Sequence, residues 1–203
     1  TGEIVLSMNA DGQLPTRNFQ TGFFEGADGI SAETMHKTIF QKSEGCYACP
    51  VKCKRVVEAK EPYIVDPTYG GPEYETIAAL GSNCGVDDIV AVAKGNELCG
   101  KYGLDTISTG ALIAFAMECY EKGIITKRDT GGIELRFGNA EAMINLIEMI
   151  ANRRGIGDIL AEGSKRAAEK FGKGAEEFAV QVKGEELPMH DGRVKGMVGF
   201  GYA

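Results

Sequence analysis

The apolar and polar positions change period several times along this chain, and the changes mark its elements. The first 30 residues are polar and rich in Gly, Asn and Thr, a pattern that predicts an extended loop. Ser31-Ala-Glu-Thr34 then offers a capping hydroxyl with a carboxylate in the first turn, which predicts a helix running to about Gln41. Arg55-Val-Val-Glu-Ala-Lys60 reads as a short strand, and 61–72 as turns. A helix is expected from about Glu73, carrying Ile77, Ala78 and Leu80, and ending near Asn83-Cys84-Gly85, where glycine can adopt the left-handed cap. Asp87 or Asp88 opens the next helix, which ends at Gly103. Asp105 caps a long one over 106–122.

That long segment is apolar around nearly its whole circumference (Ile107, Ala111, Leu112, Ile113, Ala114, Phe115, Ala116, Met117). It is too short to span a bilayer, so it predicts a central core helix. Gly123 ends it. Asn139 caps a helix over 140–153, with Met143, Leu146, Ile147 and Ile150 at helical spacing. Gly155 and Gly157 break it, and 158–171 is expected as one further amphipathic helix. Phe178-Ala-Val-Gln-Val182 alternates like a short strand, and 183–193 reads as loop. About six helices and little sheet result: mostly α, a multihelical orthogonal bundle with at most short strands.

Composition narrows the function classes. The chain has 203 residues, 43% hydrophobic and 25% charged, with net charge −7. That balance argues against nucleic acid and anionic membrane surfaces as partners. Neither end looks like a natural terminus: Thr1-Gly-Glu-Ile-Val has no initiator Met or leader pattern, and Gly196-Met-Val-Gly-Phe-Gly-Tyr-Ala203 stops among small and aromatic residues. A piece of a longer polypeptide is expected.

Six cysteines fall into two groups. Cys84, Cys99 and Cys119 sit in helical, apolar stretches and read as buried free thiols, which fits a reducing cytoplasm. The others form Cys46-Tyr-Ala-Cys49-Pro-Val-Lys-Cys53. Three soft ligands within eight residues fit three corners of an iron–sulfur cluster better than zinc, whose sites usually combine separate ligand pairs. A zinc knuckle with Cys84 or His36 as fourth ligand is the alternative.

Together with the cysteines, Gly71-Pro-Glu-Tyr-Glu75-Thr and Tyr102-Gly-Leu-Asp105-Thr-Ile-Ser-Thr-Gly110 resemble the tungsten-dependent aldehyde ferredoxin oxidoreductases. Leu14-Pro-Thr-Arg-Asn-Phe19 and Lys183-Gly-Glu-Glu-Leu-Pro-Met-His-Asp191 add two matches in the same order. The resemblance implies an enzyme that oxidises aldehydes to carboxylic acids at a tungsten (or molybdenum) bis-pterin and passes electrons through a [4Fe–4S] cluster to ferredoxin. It implies a central helical domain over 1–175 and the start of a C-terminal helical domain over 176–203. A β-rich N-terminal pterin domain and the rest of the C-terminal domain are then expected as missing partners in the same chain.

The resemblance also assigns roles. Cys46, Cys49 and Cys53 become metal ligands, with the fourth on a Gly-Leu-Cys segment past Ala203. In this piece they are expected to be empty or to hold an adventitious metal. Gly103, Leu104, Asp105 and Thr106 become a pterin-binding segment, where a helix N-terminus offers N–H groups and Asp105 can accept from a pterin amine. The family's leading Asp there is replaced by Gly100. Asp105 also serves as an ordinary N-cap.

Glu75 becomes a carboxylate near the metal, able to act as a general base, with Glu73 as the neighbouring decoy. His190 becomes a hydrogen-bond donor to substrate oxygen. The Pro that follows Asp in the family is Gly192 here. Arg193 could reach a phosphate or the pterin. Some family members bridge subunits with an iron held by E-x-x-H, but no His lies three residues after any Glu in 91–97, so no such iron is expected. A homodimer by other contacts stays open. Two further readings remain: a non-catalytic helical module binding zinc or a protein partner, and, within the family, reductive chemistry on a carboxylate or aromatic thioester.

Overall fold

A computed structural model describes residues 3–203, and it is mostly helical. The described residues form nine α-helices: α1 (Glu3–Ala10), α2 (Ala32–Thr38), α3 (Tyr74–Leu80), α4 (Ile89–Tyr102), α5 (Thr106–Glu121), α6 (Ala140–Ala151), α7 (Ile156–Leu160), α8 (Ser164–Phe171) and α9 (Gly196–Tyr202). Two antiparallel hairpins complete it, β1 (Phe40–Glu44) with β2 (Lys54–Val57), and β3 (Gln181–Val182) with β4 (Glu185–Glu186). No single helix among the described residues is long and apolar enough to cross a membrane.

α5 is the axis. Thr109 to Cys119 are all buried, because the helix is covered by α3, α4, α6 and α8. Gly110 permits the closest of these approaches. A Cβ placed there would lie 2.6 Å from the carbonyl carbon of Ala79 on α3, inside van der Waals contact. Caps fix where the helices begin. Ser31, Asp88, Asp105 and Asn139 accept the backbone N–H of Thr34, Val90, Ser108 and Ala142. Gly103 ends α4 in the left-handed conformation, at φ 69°.

Five expectations need correction. The N-terminal segment is not all loop: α1 buries Val5 and Met8, and Asn9 clamps Phe24 by donating to its carbonyl and accepting its N–H. Thr1 and Gly2, counted with that loop, lie outside the described residues. α2 stops at Thr38, three residues early, because Phe40 onward pairs with β2. The helix expected over 158–171 is broken at Gly163 (φ 90°), where Glu186 of β4 accepts the N–H of Ser164 at 2.7 Å and so takes the start of α8. The loop expected over 183–193 contains β4 and the tight turn at Lys183 and Gly184, both at positive φ. α9 follows it. The strand expected over 178–182 shrinks to β3, since Phe178 ends a 3-10 turn.

Candidate active site

The chemistry-bearing motifs converge on the start of α3. Glu73 is its N-cap and Glu75 lies in its first turn. Glu75 meets the 187–195 segment, more than a hundred residues away. Its Oε2 accepts the backbone N–H of Met189 at 2.7 Å, and its Oε1 lies 3.1 Å from Nε2 of His190. Both side chains are about one-third exposed, at 28% and 32%, so they line a surface that a reactant can reach. Tyr74 pins the same segment from below. Its hydroxyl donates to the carbonyl of Met189 at 2.7 Å, and its ring lies 5.1 Å from that of His190. Burial, helped by the charge of Glu75, pushes the Tyr74 phenol far above its ordinary value of 10, so it stays a proton donor.

Lys195 closes the row. Its Nζ lies 3.1 Å from Nδ1 of His190. The turn that brings residues 190 and 195 together is built by Asp191, whose carbonyl accepts the N–H groups of Val194 and Lys195. The Asp191 carboxylate is held by Arg193 through Nε and Nη2. Burial pushes the Asp191 carboxyl up, but the hydrogen bonds and charge of Arg193 outweigh it and leave the group below its ordinary value of 3.8. Arg193 also donates from Nη2 to the carbonyl of Phe19 at 2.7 Å. Its guanidinium thus braces the turn against the N-terminal segment, where Arg17, Asn18 and Phe19 run consecutively at positive φ.

The segment expected to bind pterin borders this row. The hydroxyls of Thr76, next to Glu75, and Thr106, the first residue of α5, are 2.8 Å apart. Gly103 faces open space, Leu104 and Thr106 are half-buried and Asp105 is exposed. Asp105 spends Oδ2 on Ser108, and its Oδ1 faces no protein donor among the described residues. The residues present therefore fit a ring-amine ligand in donor and acceptor type.

The cysteine loop joins the same end of α3 through Arg55. One of its guanidinium nitrogens, Nη1, donates to the carbonyl of Cys53 and to Glu73, both at 3.2 Å. The loop is the tip of the β1–β2 hairpin, turned by Ala48 and Lys52 at positive φ. Cys46 and Cys53 are exposed and Cys49 half-buried. The donor set is right for an iron–sulfur centre, with three accessible thiols on one loop. Their sulfurs are not gathered, since no three His, Cys, Asp or Glu side chains among the described residues are placed to hold one ion. Cys84 lies in the core, its sulfur against the carbonyls of Ala79 and Gly110, and His36 stacks on Phe40 at 4.1 Å. Cys84, Cys99 and Cys119 are buried free thiols, as their surroundings in the sequence suggested, and burial raises all three.

Sequence reasoning missed Tyr74 and Lys195. Tyr74 carried a weak signal, adjacency to Glu75. Lys195 carried none, because its role depends on the turn at Asp191. Glu97, considered for a bridging iron, is buried and accepts the N–H of Asp66 while pairing with Lys94.

Fold and site first define a helical segment in which a carboxylate–imidazole–ammonium row, a helix N-terminus and an exposed thiol loop meet at one end. The comparisons then give the family. The family model for aldehyde ferredoxin oxidoreductase, domains 2 and 3, matches residues 1–203, and the chain belongs to that family. It is 45% identical over 207 residues to the tungsten-containing aldehyde ferredoxin oxidoreductase of Thermococcus kodakarensis, covering all of this chain and 33% of that protein. It is 34% identical over 180 residues to an aliphatic sulfonate oxidoreductase, WOR-like subunit, of Pyrococcus furiosus, covering 87% of this chain and 29% of that one. Among solved structures, the active site complex BamBC of benzoyl coenzyme A reductase, in complex with 1,5-dienoyl-CoA, superposes with a TM-score of 0.68 at 27% identity. That match covers 94% of this chain and 28% of the other. The chain spans about a third of the length of the curated relatives it matches.

Proposed function

We propose that this chain supplies one wall of the active site and the electron exit of a tungsten-dependent enzyme that oxidises aldehydes to carboxylic acids and reduces ferredoxin. The observation that carries the proposal is the Glu75–His190 pair beside the 103–106 segment, in a chain 45% identical to a tungsten-containing aldehyde ferredoxin oxidoreductase. In this reading 1–175 is a central helical domain, 176–203 begins a C-terminal one, and other domains of the same polypeptide complete the site.

The overall reaction takes an aldehyde and water to a carboxylic acid, two protons and two electrons. Gly103, Leu104, Asp105 and Thr106 would hold a tungsten bis-pterin, which would supply a two-electron acceptor, and Cys46, Cys49 and Cys53 would hold in part a [4Fe–4S] cluster, which would supply a one-electron relay. The chain's own residues handle the protons. Glu75 keeps one lone pair free on each oxygen after accepting from Met189 and His190, so it can take a proton from water or the aldehyde hydrate. His190 donates from Nε2, either to Glu75 or to an oxygen of the bound aldehyde. Tyr74 holds the Met189–His190 backbone in place, which keeps the pair oriented.

The likeness to benzoyl coenzyme A reductase favours a second reading, reductive chemistry on an aromatic thioester, with the same row acting as proton donor. Metal analysis of the full-length protein, prepared anaerobically and active, tests both. It should return ~1 tungsten or molybdenum and ~4 iron per chain. Clearly lower ratios, or zinc instead, sink both. Aldehyde-dependent viologen reduction then separates the first from the second.

A further inference from the structure

We propose that Lys195 is a positioning residue that sets the tautomer of His190. The inference rests on the reading of Glu75 and His190 as the proton-handling pair. A lysine ammonium has three donors and no acceptor. At 3.1 Å from Nδ1 it can only donate, so Nδ1 must be the unprotonated nitrogen of the ring. The imidazole then carries its single proton on Nε2, the nitrogen that faces Glu75 at 3.1 Å.

The other charged and titratable neighbours leave this arrangement alone. From α3, Tyr74 spends its proton on the Met189 carbonyl. From the turn itself, Asp191 is engaged by Arg193. Among the described residues, only Glu75 and Lys195 lie within hydrogen-bond reach of the ring nitrogens. Their demands are complementary: a carboxylate at Nε2 accepts the ring's hydrogen, and an ammonium at Nδ1 donates to the ring's lone pair. Removing Lys195 leaves Nδ1 without that donor. The neutral ring is then free to carry its hydrogen on Nδ1, and Nε2 no longer presents one toward Glu75 or a reactant. Lys195 touches no reacting atom in this arrangement; it acts through His190.

Two histidines in the chain make the test direct, since His36→Gln assigns the signals. In the ¹⁵N-histidine-labelled 203-residue chain at neutral pH, long-range ¹H–¹⁵N correlation should show His190 protonated on Nε2 alone. Lys195→Met should raise the fraction of the Nδ1-protonated tautomer several-fold at the same pH, and Lys195→Arg should restore the wild-type pattern. A wild-type ring protonated at Nδ1, or a pattern unchanged in Lys195→Met, overturns the proposal; the wild-type measurement decides even if that variant does not fold. In the full-length enzyme Lys195→Met should lower kcat roughly 10- to 100-fold with KM little changed, and arginine should recover most of it. If the ring responds as expected and turnover does not, the tautomer assignment stands and the catalytic reading of Glu75 and His190 falls.

Discussion

Glu75 holds two donors on its two oxygens, and this is what separates it from Glu73, two residues earlier, which sits at the N-cap position without a side-chain cap bond and pairs with Arg55 at the surface. Glu75→Gln keeps the size and can still accept from Met189, but it cannot take a proton. In the full-length enzyme kcat for aldehyde oxidation should fall by about 10²–10⁴ with tungsten content unchanged. Loss of the metal along with activity would instead make Glu75 a structural residue. Glu118 tests the core at the same scale. It is buried near the C-terminal end of α5 with Asn18 bonded to its Oε2 at 2.7 Å. Burial raises its carboxyl above the ordinary 4.5, and the Asn18 bond only partly offsets that. A raised carboxyl favours folding in its neutral form, so its contribution is full below about pH 4.5 and lost as pH rises through the folded-state value. Glu118→Gln should therefore equal or exceed the wild type in urea midpoint at neutral pH, with the difference shrinking below pH 4.5.

At the scale of elements, the start of α5 carries two functions that one substitution series can separate. Asp105 caps the helix through Oδ2 and leaves Oδ1 toward open surface. Asp105→Ala should cost about 1 kcal/mol in thermal or urea unfolding through the lost cap. Asp105→Asn keeps a capping oxygen but puts an amide where a ring amine would need an acceptor. It should hold the stability of the chain and lower pterin content in the full-length enzyme. Equal pterin content in both would leave Asp105 as a cap alone. The side-chain caps of α4 to α6 and the glycine stops at Gly103 and Gly123 were legible in the sequence because each is a local bond between residues at most four apart, whereas α3 stops at Leu80 and not near Gly85 as expected. The break at Gly163 was not, because Glu186, which fixes it, lies 22 residues on. α1 was hidden by the polar residues around it, although Ile4, Val5, Leu6 and Met8 are four apolar positions in five. Cys46, Cys49, Cys53, Glu75, Asp105 and His190 could be picked out because their motifs are short. Their mutual geometry could not, since the bonds joining them (Thr76 to Thr106, Arg55 to Glu73, Glu75 to Met189) all cross between motifs.

The whole molecule leaves large apolar side chains uncovered in the cysteine loop and on α9. Tyr47 and Val51 in the cysteine loop and Met197 and Phe200 on α9 are at least 73% exposed. An apolar groove of about 480 Å³, lined by Phe19, Val180, Leu187, Val198 and Tyr202 among others, opens beside α9. Exposed apolar surface on this scale marks a place where another surface docks, and the chain spans about a third of the length of its relatives. The 203-residue chain by itself should therefore fail at turnover even where it folds. If the chain forms one wall of a site that other domains complete, as proposed, that wall alone would hold no reactant in a fixed position, and proton transfer would lose the orientation it depends on. A four-iron cluster on the three thiols of this exposed loop would also be one ligand short. After anaerobic reconstitution with iron and sulfide, the isolated chain should reduce no viologen with aldehyde and lose its cluster absorbance on gel filtration, where the full-length protein keeps both. Aldehyde-dependent turnover by the isolated chain would mean that the row at Glu75, His190 and Lys195 is sufficient without the rest of the enzyme.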